Sequence, residues 1–346
     1  MTDQNSTAGF SAATPRGTHG GRVLIYDSDD LDSRGGPADD PESLELASLY
    51  ATGGPNNQTG VDVVRPHMIV PSPDHRYQAL AFVVSGHVAI IDASTRHPVA
   101  LFRTTPGTGG ARQAHAAFWT HDGRSLIVAN QNGKLLERID HDSLTGTFTH
   151  RTDATLDLAN CVTPNGNPCQ TSTPVNDSDP GYRGPNNRPD NAPICPVVTR
   201  DDKAYTTLRG GGMLVVDITR TPMAIVGEYG TNAIGRDGCG GRQHRGSVYL
   251  NSGSGTPVTN PSEFSLYEVL NAFPGAPGFL SPNTPPATLF YSDITPETPN
   301  DAHGMVMTRH DRFLWQFDRL ANEAQVFNPK TNPPSHIGSV NLVTPG

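Results

Sequence analysis

The chain has 346 residues, a net charge of −9 and an isoelectric point near 5.8, long enough for one large all-β domain or two ordinary ones. The acidic balance and the absence of any Lys/Arg cluster exclude a nucleic-acid footprint or an anionic-membrane surface, and no run approaches 18 consecutive apolar residues. Gly (36) and Pro (31) make up about a fifth of the chain against an average of about 12%, so turns must be frequent and the expected fold is all-β, built of many short strands.

In chain order, "MTDQNSTAGFSAATPRGTHGG" lacks the basic and apolar regions of a signal peptide. Residues 1–20 are therefore expected to be a disordered segment of a cytoplasmic protein, with a single domain over residues 21–346. His19 falls in no strand frame. "GGRVLIYDSDDL" and "SLELASLYATG" read as the third and fourth strands of a repeating unit, and the acidic run between them as a solvated loop.

The repeat becomes explicit at His67. "HMIVPSPDHRYQALAFVVSGHVAIIDASTRHPVALFRT" aligns with the segments opening at His115, Cys195 and His303, and a degenerate copy begins near His244. Seven residues into the four clear copies stand Asp74, Asp122, Asp202 and His310, the last followed by Asp311. An acid there closes a tight turn between first and second strands. A further Asp or Asn ends the third strand: Asp92, Asp140, Asp217 and Asn328. Four antiparallel strands in units of about 40 to 50 residues are the signature of a β-propeller, here of six or seven blades with seven preferred.

Two segments break the period. Residues 152–192 form a long insertion that would serve as a lid, and Cys161 and Cys169, eight apart within it, are close enough in sequence to be bridged. A second insertion covers residues 256–287. Within it Ser262–Asn271, "SEFSLYEVLN", is the one candidate helix.

The units resemble the YVTN-type propeller repeat, "SPDHRYQALAFVVSGHVAIIDAST" from Ser72 being the nearest match, and the resemblance covers most of residues 60–346. It implies a fold and no particular function.

The residues that open the units, His67, His115, Cys195, His244 and His303, occupy one repeat position on the strands expected to line the central channel. Histidine is only 13 of 346 residues, so its recurrence there points to imidazoles converging on a metal. The expected ligands are His67, His115, His244 and His303, with Cys195 and Cys239 as secondary candidates. Arg65, Arg112, Gln113, Arg242, Gln243 and Asp301 lie beside them in sequence. Asp301 could accept the second N–H of a ligating His303, and the arginines could hold an anionic small-molecule substrate.

An all-histidine site suits copper or Fe(II), and zinc also fits. The arrangement resembles that of carotenoid-cleavage oxygenases and of the copper-dependent selenium-binding, methanethiol-oxidase proteins. The resemblance implies a metal-dependent oxidoreductase acting on a small molecule. Two alternatives stay open: a redox-silent metal-assisted lyase, lactonase or hydrolase, and a non-catalytic binding propeller.

Overall fold

The computed structural model describes residues 2–3, 21–27, 40–164, 166, 169, 192–209, 211–230, 233–235, 238–253, 262–270, 287–295, 300–319 and 321–342. They form six sheets, in each of which strands adjacent in sequence pair with one another. The first holds β1 (Thr2–Asp3), β2 (Arg22–Ile25) and β3 (Glu42–Glu45). The second holds β4 (Pro66–Pro71), β5 (Tyr77–Phe82), β6 (His87–Asp92) and β7 (Pro98–Arg103). The third holds β8 (Ala114–Trp119), β9 (Ser125–Asn130), β10 (Leu135–Asp142) and β11 (Thr147–Asp157). The fourth holds β12 (Pro193–Val198), β13 (Lys203–Leu208), β14 (Met213–Asp217) and β15 (Ala224–Tyr229). The fifth holds β16 (Gly241–His244), β17 (Ser247–Ser252), β18 (Ser262–Leu270) and β19 (Ala287–Thr295). The sixth holds β20 (Ala302–Met307), β21 (Leu314–Asp318), β22 (Glu323–Asn328) and β23 (Ser335–Asn341).

The fold is a β-propeller, and the described residues hold six blades where the sequence preferred seven. The amino-terminal fragment is a blade in its own right, because Thr2–Asp3 pair with Arg22–Val23 and supply it with another strand. The interrupted fifth unit is likewise completed by β18 and β19. Among the described residues no helix is long and apolar enough to cross a membrane.

The candidate helix at Ser262–Asn271 is corrected by β18, which pairs with β17 on one side and β19 on the other. Phe264 and Leu266 pack with Tyr249, Ala302 and Leu314, whereas Tyr267 and Val269 pack with Val197, Val215 and Val248. A strand buried on both faces shows no polar alternation, and its apolar spacing then mimics a helix.

Two compact units divide the chain, residues 1–133 with 137–152, and 134–136 with 153–346. In the first, one apolar cluster joins Val23, Leu46 and Tyr50 to Leu80, Phe82 and Ile91, and another joins Tyr77 and Ile90 to Trp119, Leu126 and Val128. In the second, the clusters of the fourth with the fifth sheet and of the fifth with the sixth do the same work. Each core is thus made between the faces of two successive blades.

The turn acids act through short side-chain bonds. Ser72 Oγ donates to Asp74 at 2.6 Å, Thr120 Oγ1 to Asp122 at 2.7 Å and Thr199 Oγ1 to Asp201 at 2.7 Å. In the third of these turns the bonding acid is Asp201, and Asp202 instead takes the left-handed position at φ 57°, which Gly123 fills at φ 70° in the second. At the ends of third strands Asp92, Asp142, Asp217 and Asn328 each accept the backbone N–H two residues on. Asp142 does this in the third blade, and Asp140 is turned to Ser125, Arg138 and Arg151.

Candidate functional site

In four blades the first strand is bulged where its pairing with the second begins. The register shifts between Pro66 and Met68, Ala114 and Ala116, Pro193 and Pro196, and Ala302 and Met305. The residues inside the shifts are His67, His115, Ile194 with Cys195, and His303 with Gly304. One backbone bond closes each start: Val83 N to Arg65 O, Gln131 N to Gln113 O, Arg209 N to Ala192 O and Arg319 N to Asp301 O, at 2.8–3.2 Å. A bulge turns its extra residue out of the ladder and re-aims the side chain. The sequence carries no mark of it beyond the recurring histidine.

The fifth blade departs from this frame. Gly241 to His244 pair in unbroken register with Leu250 to Ser247, so His244 lies at the hairpin end of β16, with its Nδ1 3.6 Å from Asp311. The place beside His303 belongs to Cys239, whose N–H donates to Ala302 O at 3.2 Å and whose carbonyl accepts from Gly304 N at 2.7 Å. Arg242 is exposed, and Gln243 Oε1 accepts from Arg200 N at 2.8 Å. Neither is aligned with the bulge.

In the first unit His67 Nδ1 lies 3.1 Å from the carbonyl of His115, and the two rings are 4.4 Å apart at 44°. A carbonyl only accepts, so Nδ1 is the donor in this contact. Asn130, fully buried at the end of β9, sets the approach to β8. Its Oδ1 accepts from Gln113 N at 2.9 Å and Gly133 N at 3.2 Å, and its Nδ2 donates to Thr105 O at 2.8 Å. Gly107 presses so closely on Gly133 O that any Cβ would collide with the backbone. Arg112 Nε donates to Thr104 O at 2.7 Å. The loop that carries Arg112 and Gln113 and leads into His115 on β8 is thereby anchored by backbone and amide bonds.

Nearby His87 is fully buried, with Nε2 2.8 Å from Thr59 Oγ1. Burial, then Arg103 and Arg112, push its pKa down to about 4 against the pull of Asp62. A histidine depressed in the folded state stabilises fully above its unfolded value of about 6.5, and the contribution is lost as pH falls towards 4. We expect a loss of about 2–3 kcal/mol over that window. Urea midpoints measured from pH 7 to 4 check it: His87→Gln should flatten the slope, and an unchanged slope would refute the assignment.

In the second unit His303 Nδ1 stands 3.8 Å from Asp301 Oδ1, in charge contact but beyond direct hydrogen-bond length. Asp301 is also bonded by Arg319 Nε, and its own N–H donates to Asp318 Oδ1 at 3.0 Å. Burial opposes its charge, but His303 and Arg319 outweigh that and hold the carboxyl below its ordinary value. Cys195 is joined to Cys239, the residue paired with His303, and Cys161 is joined to Cys169. Most of the expected lid, residues 170–191, lies outside the described residues, as does His19.

This donor set alters the metal expectation. With the bridge intact, neither Cys195 nor Cys239 offers a thiolate. Taken singly, the first unit brings His67 and His115 together and the second supplies His303, with His244 at the far end of its strand. Among the described residues, neither unit by itself gathers the three imidazoles of a catalytic zinc site.

No family model matches the sequence, and no curated protein matches it. Solved structures do share the fold. A protein from Lactobacillus plantarum superposes with a TM-score of 0.56 at 11% identity, covering 98% of this chain and 88% of that one. A candidate 6-phosphogluconolactonase from Bacteroides fragilis gives 0.50 at 11%, covering 83% and 76%, and another from Bacteroides uniformis gives 0.50 at 10%, covering 87% and 78%. At such identities the likeness establishes the fold. The expected copper or iron oxidoreductase is corrected: the activity named for these two neighbours is lactone hydrolysis, and the thiolates that could have joined a redox metal are tied in a bridge.

Proposed function

We propose that this propeller is a hydrolase that opens the ring of a small sugar-acid lactone. The observation that carries the reading is the Asp301–His303 pair, set on a bulge and braced by Arg319 and by the backbone of Cys239. His303 takes a proton from water as its oxygen adds to the lactone carbonyl. The ring C–O bond then breaks, and the proton is returned to the leaving alkoxide. Asp301 steadies the imidazolium between the two transfers. The products are one hydroxy acid and the unchanged enzyme. The names of the two Bacteroides neighbours favour a lactone over other carbonyl substrates.

Of the expected ions, a redox-silent one such as zinc would be the one compatible with this chemistry, on His67 and His115. Because two imidazoles fall short of a zinc site, activity is expected to survive dialysis against EDTA. Loss of activity restored by zinc, and lost again in His67→Ala, would move the chemistry to an ion. The two disulfides suit an oxidising compartment better than the cytoplasm expected from the sequence. Alkylation of freshly isolated protein tests this, since a reducing compartment would yield four reactive thiols.

A further inference from the structure

Outside the Asp301–His303 pair, the first unit holds two arginines that the proposed chemistry does not use. Arg103 ends β7, and its Nε donates to Ser85 O at 3.2 Å; Arg112 Nε donates to Thr104 O at 2.7 Å. Thr104 N–H and Oγ1 both donate to Gly86 O, which ties these carbonyls into one turn. Gly86, at φ 71°, lets the Arg112 side chain lie across it: a Cβ there would stand 2.8 Å from Arg112 Cβ. Both guanidinium groups are therefore fixed at Nε, with their terminal nitrogens held as donors. Among the described residues no carboxylate pairs with either arginine.

We propose that Arg103 and Arg112, bordered by Gly86 and His87, form a subsite for a phosphate monoester. Two like charges held at Nε, neither paired with a carboxylate among the described residues, gain most from a dianion, and a phosphate ester carries about −1.5 to −2 at neutral pH where a carboxylate carries one charge. Guanidinium ends positioned through Nε suit the bidentate geometry of phosphate oxygens. His87 is fully buried and its Nδ1 has no partner, so it adds a polar atom beside the pair without adding charge. Burial and the proximity of Arg112 already lower the pKa of Arg103, so an arriving anion relieves a repulsion present in the folded protein. The subsite binds an anion and needs no hydrolysis, so it stands whether or not the lactonase reading does.

The test is calorimetric titration of the full chain with inorganic phosphate at fixed ionic strength, followed by 6-phosphogluconate and gluconate. One saturable site is expected, with the phosphorylated acid bound at least tenfold more tightly than gluconate. Arg103→Gln and Arg112→Gln should each raise Kd at least tenfold, and Arg112→Lys should fall between wild type and Arg112→Gln. Arg124→Gln, at an exposed arginine with its own partner in Asp122, should change nothing. Should Arg112→Gln fail to fold, Arg103→Gln and Arg112→Lys carry the comparison. Absence of saturable binding, equal affinity for gluconate, or wild-type affinity in the folded arginine variants would each overturn the subsite.

Discussion

Replacing His303 by alanine is expected to lower kcat for lactone opening by about 10²–10⁴-fold while leaving the fold intact. The side chain sits in a bulge and outside the apolar clusters, and the bonds that hold the strand start there run through the backbones of Ala302, Gly304 and Cys239. Truncation therefore removes the base and little of the scaffold. Asp301→Asn should cost on the order of 10²–10⁴-fold through kcat with KM nearly constant, because the amide keeps the shape and loses the charge that steadies the imidazolium. It also exposes the bracing by Arg319, whose guanidinium would then face a neutral amide. Steady-state kinetics on both variants check this. A loss carried by KM alone would assign the pair to binding.

The second large effect concerns stability. Asn130→Ala should cost about 3 kcal/mol or more, since Gln113 N, Gly133 N and Thr105 O would all lose their partner inside the protein, each at about 1–3 kcal/mol. Asn130→Asp is a sharper probe. It keeps both acceptor bonds, loses the donor to Thr105, and sets a second carboxylate where Nδ2 stands 3.4 Å from the buried Glu137. Its deficit should shrink as pH falls and one acid protonates. Urea denaturation at pH 7 and pH 5 measures both. A variant as stable as wild type would show that the amide does not organise the loop.

How far the sequence disclosed this architecture differs from part to part. The blades were legible because each turn leaves its own local chemistry in the chain, an Asp that bonds its own backbone or a Gly in the left-handed region, as at Asp74, Asp92 and Gly123. The pitch of the repeat was legible for the same reason. β18 was not, because burial on both faces erases the period-two signal. The blade count stayed open between six and seven, since an insertion could have hidden another blade, and no local pattern in "MTDQ" announces the strand partner that the amino-terminal blade finds some twenty residues away.

At the candidate site the residue types stood out in the sequence and their pairing did not. Recurring histidines drew attention to His67, His115, His244 and His303, but only pairing geometry shows that His67, His115 and His303 fall in register shifts and that His244 sits at the hairpin end of its strand. Cys195 and Cys239 read as candidate ligands because a sequence cannot show two residues 44 apart meeting in a bridge. Arg103 went unnoticed for a similar reason. It is the last residue of an outer strand and comes to Arg112 only through the turn around Gly86 and Thr104.

The most direct test of the account is the rate of ring opening of glucono-δ-lactone and its 6-phosphate, followed by NMR with and without purified protein in EDTA-containing buffer. Wild type should open at least one of them well above the spontaneous rate, and His303→Ala should return that rate close to the uncatalysed value. A wild-type rate no faster than the spontaneous one with both lactones, or undiminished activity in a folded His303→Ala protein, would contradict hydrolysis at the Asp301–His303 pair.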